Sequence, residues 1–173
     1  GAEPTNWTSF FSGSAWEWDE ATQEYYLHLF SRSQPDLNWE NPQVRDAVYA
    51  MMNRWLDRGV DGFRMDVINL ISKDVALPDG VLPPEGPDDT GLADGTAHYT
   101  CGPRIHEFLH EMHERVFASR AAELITVGEM PGVTVEEARA FTDPERAEVD
   151  MVFQFEHVSL GFGPGGKYEP GPV

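Results

Sequence analysis

Three residues of this chain are placed for nucleophilic and acid–base work. Asp66 and Glu129 each close an apolar run that reads as a strand, over 59–67 and 124–129. In parallel α/β architectures the working residues gather at the carboxyl ends of strands, where loops shape a pocket. Arg64 stands two residues before Asp66, so the pleat turns both side chains to one side of the sheet. A guanidinium beside a carboxylate favours the ionised form and keeps Asp66 a competent nucleophile. Glu129 sits in Val-Gly-Glu-Met, with apolar neighbours and no basic residue nearby in sequence, surroundings that suit a proton donor. One ionised and one protonated carboxyl is what glycoside hydrolysis requires, and a separation of ~5 Å would predict retention of configuration. Spacing alone also admits a plainer reading, in which Arg64–Asp66 is a structural ion pair and Glu129 a solvated strand end.

A second pattern belongs to another enzyme class. His106-Glu107-Phe108-Leu109-His110 spells the H-E-x-x-H of zinc peptidases. On a helical wheel centred on Ile105 the two histidines fall at about 100° and 140°, on the shoulder of the apolar stripe. That position fits a polar flank as well as a ligand pair, and no third ligand is marked. Gly161-x-x-x-x-Gly166-Lys167 nearly matches a phosphate loop, but Tyr168 replaces the Ser/Thr, and Pro170 and Pro172 forbid the helix that should follow. Glu156, at the end of a third strand, is a backup for the acid role, and Cys101 reads as a small buried residue.

The elements that must position these groups are legible in outline. Residues 1–40 are aromatic and irregular, with two short strands, Ala15–Asp19 and Tyr25–Phe30, around the polar turn Glu20–Glu24. Asn41 caps a helix that Pro42 opens and Gly59 can end, with Val44, Val48, Met52, Trp55 and Leu56 as its stripe. The stretch Asp74–Gly102 has no periodicity, and loops of that length are usually functional or disordered. A helix over Pro103–Arg120 places Ile105, Phe108, Leu109, Met112 and Val116 on one face. Thr134-x-x-Glu137 is a capping box, and Val149–Phe155 is the third strand. Helix–strand–helix–strand–helix–strand order without hairpins predicts parallel strands with right-handed crossovers.

The chain has 173 residues with 40% hydrophobic and 24% charged, enough for one packed unit. Twelve Lys+Arg against 30 Asp+Glu give a net charge of −18, which repels phosphate backbones and anionic lipid and argues against nucleic-acid or membrane partners. No apolar run approaches the ~20 residues of a membrane span. A single cysteine rules out an internal disulfide framework or a thiolate zinc cluster and points to a reducing, cytoplasmic setting. The chain opens Gly-Ala-Glu without methionine, so the missing leader carries little weight.

Several segments together resemble one family. Gly-Phe-Arg-Met-Asp-Val-Ile-Asn (62–69), Thr-Val-Gly-Glu-Met-Pro-Gly (126–132) and Gln-Pro-Asp-Leu-Asn-Trp (34–39) are similar to motifs of the α-amylase superfamily, in its oligo-1,6-glucosidase and α-glucosidase branch. The likeness extends through residues 9–16, 25–30, 69–73 and 153–157, and so covers nearly the whole chain. It implies a retaining α-glucosidase with Asp66 as nucleophile, Glu129 as acid/base and Arg64 orienting Asp66. It implies that Phe11, Phe30 and Gln34 line the sugar pocket. Val67 follows the nucleophile, where Val accompanies a preference for α-1,6 bonds, so the implied partner is a short isomaltose-type oligosaccharide. No cofactor is implied, and the family's metal site belongs to an earlier segment.

The departures are as informative. A complete (β/α)8 TIM barrel takes about 250 residues. The family's early Asp and Asn-His motifs and its later Asn-His-Asp motif, with a third carboxylate, are absent here. The expected fold is therefore α/β, a partial TIM barrel: residues 1–40 end an inserted subdomain, and 41–173 hold about the fourth to sixth strands. Unpaired strand edges predict aggregation or partial folding. Little or no turnover by the chain alone follows from missing pocket closure. Sucrose isomerase or transglucosylase chemistry, and a non-catalytic barrel remnant, stand as alternatives beside the zinc reading.

Overall fold

The computed structural model describes residues 1–156 apart from 85, 87, 88 and 122. In chain order the elements are β1 (Trp16–Asp19), β2 (Glu24–Leu27), α1 (Pro42–Leu56), β3 (Gly62–Met65), α2 (Ile105–Met112), β4 (Ile125–Glu129), α3 (Val135–Phe141) and β5 (Met151–Phe153). The run Gly161–Lys167 and the last residue of the 153–157 motif lie outside the described residues.

β1 and β2 form an antiparallel hairpin with Trp16 opposite Leu27 and Asp19 opposite Glu24. Asp19 builds the turn. Its carboxylate accepts the Ala21 N–H at 3.0 Å and the Thr22 hydroxyl at 2.9 Å, and these bonds hold it below the usual carboxylate range. β2 ends at Leu27 instead of Phe30 because Leu29 turns to other partners. Its N–H donates to Asp36 Oδ2 at 3.0 Å and its carbonyl accepts from the Phe10 N–H at 2.8 Å.

α1 starts as its sequence dictates, with Asn41 Oδ1 accepting the Gln43 N–H at 3.0 Å and Pro42 in the first turn. Its inward face centres on Tyr49, Met52 and Leu56. That centring leaves Val48 half-buried and puts Trp55 on the shoulder, 44% exposed, with the Arg58 guanidinium 5.3 Å from its ring. Trp55 is therefore not part of the packed stripe. α2 buries Ile105, Phe108, Leu109 and Met112, and Val116 follows in a π turn, His113–Phe117. There the Ala118 N–H reaches back to the His113 carbonyl, and the wider turn lets consecutive Val116 and Phe117 both face the core. α3 carries both halves of its capping box, between Thr134 and Glu137.

β3, β4 and β5 form a parallel sheet in that order, with Gly62 opposite Ile125, Met65 opposite Gly128, and Glu129 opposite Phe153. Gly62 is required where the strands meet. It holds φ +148°, and a Cβ there would lie 1.8 Å from the Ile125 carbonyl oxygen. The sheet's two faces differ. Phe63, Met65 and Val152 turn toward the helices, in a core with Tyr49, Phe108, Met112 and Phe141. On the other face Ile125, Met151 and Phe153 are each about half exposed, in line with Arg64 and Glu129. Among the described residues one side of the sheet is thus packed, and the other is half exposed and apolar apart from Arg64 and Glu129.

A second cluster gathers Trp7, Ala15, Leu29, Leu70 and Tyr99, with Phe30, Val67 and Leu77 packed against it. The described part of the aperiodic 74–102 stretch folds over this cluster. Trp7, fully buried, donates its indole N–H to the Pro78 carbonyl at 2.9 Å and bridges Ala93. No described helix is long and apolar enough to cross a membrane.

Candidate active site

The register of the sheet sets this site. Met65 lies opposite Gly128, so the next residues, Asp66 and Glu129, leave neighbouring parallel strands at the same level. Arg64 joins them. One terminal nitrogen of its guanidinium meets Asp66 Oδ1 and the other meets Glu129 Oε2. A guanidinium fork spans only a short distance, so the two carboxyls stand side by side. They are not equivalent, because the Asp66 side chain is 74% exposed and that of Glu129 only 14%. The Arg64 hydrogen bond, with help from the adjoining Glu129 carboxyl, holds Asp66 below the usual carboxylate range.

Glu129 has apolar neighbours and no basic residue nearby in sequence, and in the fold Arg64 bonds it as well as Asp66. The partner lies 65 positions away and arrives only through strand pairing, so local sequence could not reveal it.

Val67 is held in the left-handed region, at φ 39° and ψ 40°. For a β-branched residue this is strained, and such strain collects at working sites. The conformation turns the Val67 N–H toward Glu129 Oε2, 3.3 Å away, so Glu129 receives a second donor. A buried polar floor lies beneath. Asn69, fully buried, donates to the Pro131 carbonyl at 2.9 Å and accepts the Cys101 N–H on its own carbonyl, also at 2.9 Å. Burial pushes the Cys101 thiol up, so the thiol, not the thiolate, is held there.

Phe30 and Val67 pack on the same cluster, which brings the aromatic start of the chain to the carboxylates. Phe11, 64% exposed, meets Phe30 edge-on at 5.7 Å, and Phe10 stacks on Phe30 at 5.0 Å. Two participants escaped sequence reasoning. Ser9, buried, accepts the Phe11 N–H and donates to the Phe30 carbonyl at 2.7 Å, so one hydroxyl ties both rings. Tyr99, whose phenol burial pushes up to about 12, supports Phe10 at 6.0 Å. Neither carries a local signal, since each acts through a long-range contact. Gln34 is exposed, and its amide oxygen accepts the Ser31 N–H at 3.2 Å, which closes a turn of its own. The structure does not join it to the carboxylates.

The zinc pattern takes another role. His106 Nδ1 bonds Glu148 at 2.8 Å, and His110 Nδ1 bonds the Arg146 carbonyl at 2.8 Å. Glu148 is buried and also holds Arg146, so the histidines pin the segment ahead of β5 to α2. Among the described residues no three His, Cys, Asp or Glu are grouped to hold a metal ion. Glu156 is exposed and accepts from the Gln154 amide at 2.9 Å.

Parallel strands ending in a guanidinium-bridged carboxylate pair define an α/β segment with two acids side by side at its strand ends. Residues 1–171 match the catalytic domain of α-amylase, and the chain belongs to that family. It is 59% identical over 172 residues to an oligo-1,6-glucosidase of Parageobacillus thermoglucosidasius, covering 99% of this chain and 30% of that protein. It is 51% identical to the trehalose-6-phosphate hydrolase of Bacillus subtilis, over 99% of this chain and 28% of the other. The crystal structure of trehalose-6-phosphate hydrolase from Bacillus licheniformis superposes with a TM-score of 0.83 at 49% identity, over 96% of this chain and 28% of that one. Trehalulose synthase from Pseudomonas mesoacidophila MX-45 gives 0.78 at 42% identity, over 93% of this chain and 27% of its own. The chain spans under a third of the length of these relatives.

Proposed function

We propose that this chain is the central part of a retaining α-glucosidase acting on short α-glucosides, with terminal α-1,6 bonds preferred. The observation that carries the reading is the Arg64 bridge between Asp66 and Glu129 at the ends of adjacent parallel strands. In this reading Asp66 attacks the anomeric carbon while Glu129 protonates the departing glycosidic oxygen. The C–O bond breaks and a glucosyl ester forms on Asp66. Glu129, now ionised, then takes a proton from water, which attacks the same carbon and frees Asp66. Arg64 keeps Asp66 ionised and aimed, Phe11, Phe30 and Val67 border the sugar, and the family resemblance adds Gln34. β3, β4 and β5 are the fourth to sixth strands of a barrel whose half-exposed face is the lumen side, and residues 1–40 end an inserted subdomain. Alone, the chain turns over little, because half the pocket wall is wanting.

The likeness to trehalulose synthase favours a second outcome on the same ester, capture by a sugar hydroxyl instead of water. The test is to graft residues 1–171 in place of the matching segment of the Parageobacillus enzyme. The chimera should hydrolyse isomaltose with α-anomer released first, and Asp66→Asn or Glu129→Gln should each cost at least ~10³-fold in kcat. Either variant keeping parental kcat in a folded chimera would overturn the assignment.

A further inference from the structure

The aromatic residues of the first forty positions are not all spent on the core or on the carboxylate site. Tyr25 and Tyr26, half-buried, line with Trp16 and Trp39 a cleft of about 480 Å³. It lies between the β1–β2 hairpin, the turn before α1 and the segment after Leu70. Arg64, Asp66, Val67, Glu129, Phe11, Phe30 and Gln34 are all absent from its walls. The volume falls in the ~300–1,000 Å³ range of small-molecule sites.

The polar groups on the walls choose the ligand. Lys73 and Asp36 pair there at 2.5 Å and are mostly buried, at 14% and 19% side-chain exposure. That bond occupies one ammonium hydrogen of three. Glu40 sends Oε2 to the Arg104 guanidinium, while its Oε1 is buried without a hydrogen-bond partner. Asp74 uses Oδ1 on the Ala76 N–H at 2.9 Å. Lys73 offsets Asp36 and Arg104 offsets Glu40, so Asp74 leaves the walls net negative and unfavourable to an anion, and a purely apolar ligand would strand these groups without water. A neutral polyhydroxylated ring answers both demands, with C–H faces on the aromatic rings, hydroxyls donating to carboxylates and oxygens accepting from Lys73.

We propose that this cleft is a second saccharide site, taking a neutral glucosyl unit apart from the Asp66–Glu129 centre. The test follows the indole N–H resonances of the ¹⁵N-tryptophan-labelled chain during titration with isomaltose and, separately, glucose 6-phosphate. Isomaltose should shift Trp16 and Trp39 but not Trp7 or Trp55, saturating at ~1–10 mM. Glucose 6-phosphate should bind at least tenfold more weakly. Val75→Trp plugs the cleft from a wall position 72% exposed, and Leu37→Trp does so from one 55% exposed, so neither disturbs the core. Each should weaken the response at least tenfold, whereas Asp66→Asn should leave it unchanged. No shift by 100 mM, equal binding of the phosphate ester, or loss of the response in Asp66→Asn alone would each overturn the proposal. So would a response that an apolar dye abolishes while both plugged variants retain it.

Discussion

Replacing Val67 by alanine, and that alanine by glycine, measures the strain at the centre of the candidate site. Val67 holds φ 39° and ψ 40°, where an L-residue gives up roughly 1–2 kcal/mol and glycine almost nothing. At an ordinary position the Ala-to-Gly step costs about 0.5–1 kcal/mol, through the entropy of the unfolded chain. Here relief of the left-handed penalty exceeds that cost, so Val67→Gly should be more stable than Val67→Ala by about 0.5–1 kcal/mol. The first step has the opposite sign. Val67 is half-buried against the Trp7–Tyr99 cluster, and trimming it to alanine should lose roughly 0.5–1 kcal/mol of packing. Urea unfolding of the three proteins at pH 7, with the slope checked for constancy, reads both steps. If Val67→Gly proves less stable than Val67→Ala by 0.5 kcal/mol or more, the backbone is not strained at this position. The link from strain to the N–H that meets Glu129 would fall with it.

Other consequences are open to the same methods. Gly62→Ala sets a methyl against the Ile125 carbonyl and should part β3 from β4, with a loss of about 3 kcal/mol or more in urea unfolding and extra dye binding. Asn41→Ala removes the cap on α1 and should cost ~1 kcal/mol, with Asn41→Asp restoring most of it. Carbon-detected NMR should find Asp66 titrating below the ordinary value of ~3.9. The stabilising share of its pairing is then fully present above that ordinary value and lost as pH falls through the lowered one. Arg64→Met should move the titration upward, and an unchanged midpoint would show that Arg64 is not its cause.

Local rules read well where the physics is local. Asn41 and Pro42 start α1, and Thr134 with Glu137 starts α3, because a cap and its helix lie within four residues of each other. The five apolar residues from Ile105 to Val116 all reach the core, since a helical stripe needs only its own period. Strand ends were less legible. β3 stops at Met65, and nothing in its apolar run forewarns of the left-handed Val67. The catalytic candidates were visible as residue types, but their electrostatics were not, because Arg64 reaches Glu129 only after β3 and β4 pair. Trp55 falls outside the packed stripe, because a hydrophobic residue on a stripe's shoulder looks like one at its centre until a neighbouring helix defines inward. The Ser9 hydroxyl, joining residues 11 and 30, belongs to the same class of long-range contact.

The strand register that levels Asp66 with Glu129 has an evolutionary corollary. The relative position of the two acids depends on four paired residues in each strand, from Gly62–Met65 against Ile125–Gly128, and not on the long excursion between them. Insertions beside the exposed residues 82–84 or 89–91 can therefore reshape the surface while leaving the two acids in step. A single-residue deletion inside 125–128 has no such freedom: it would carry Glu129 through the sheet to the helix side, away from Asp66 and Arg64. Length variation among descendants should thus be generous at those exposed positions and forbidden in the strands, so that new specificities arise around a fixed pair of acids.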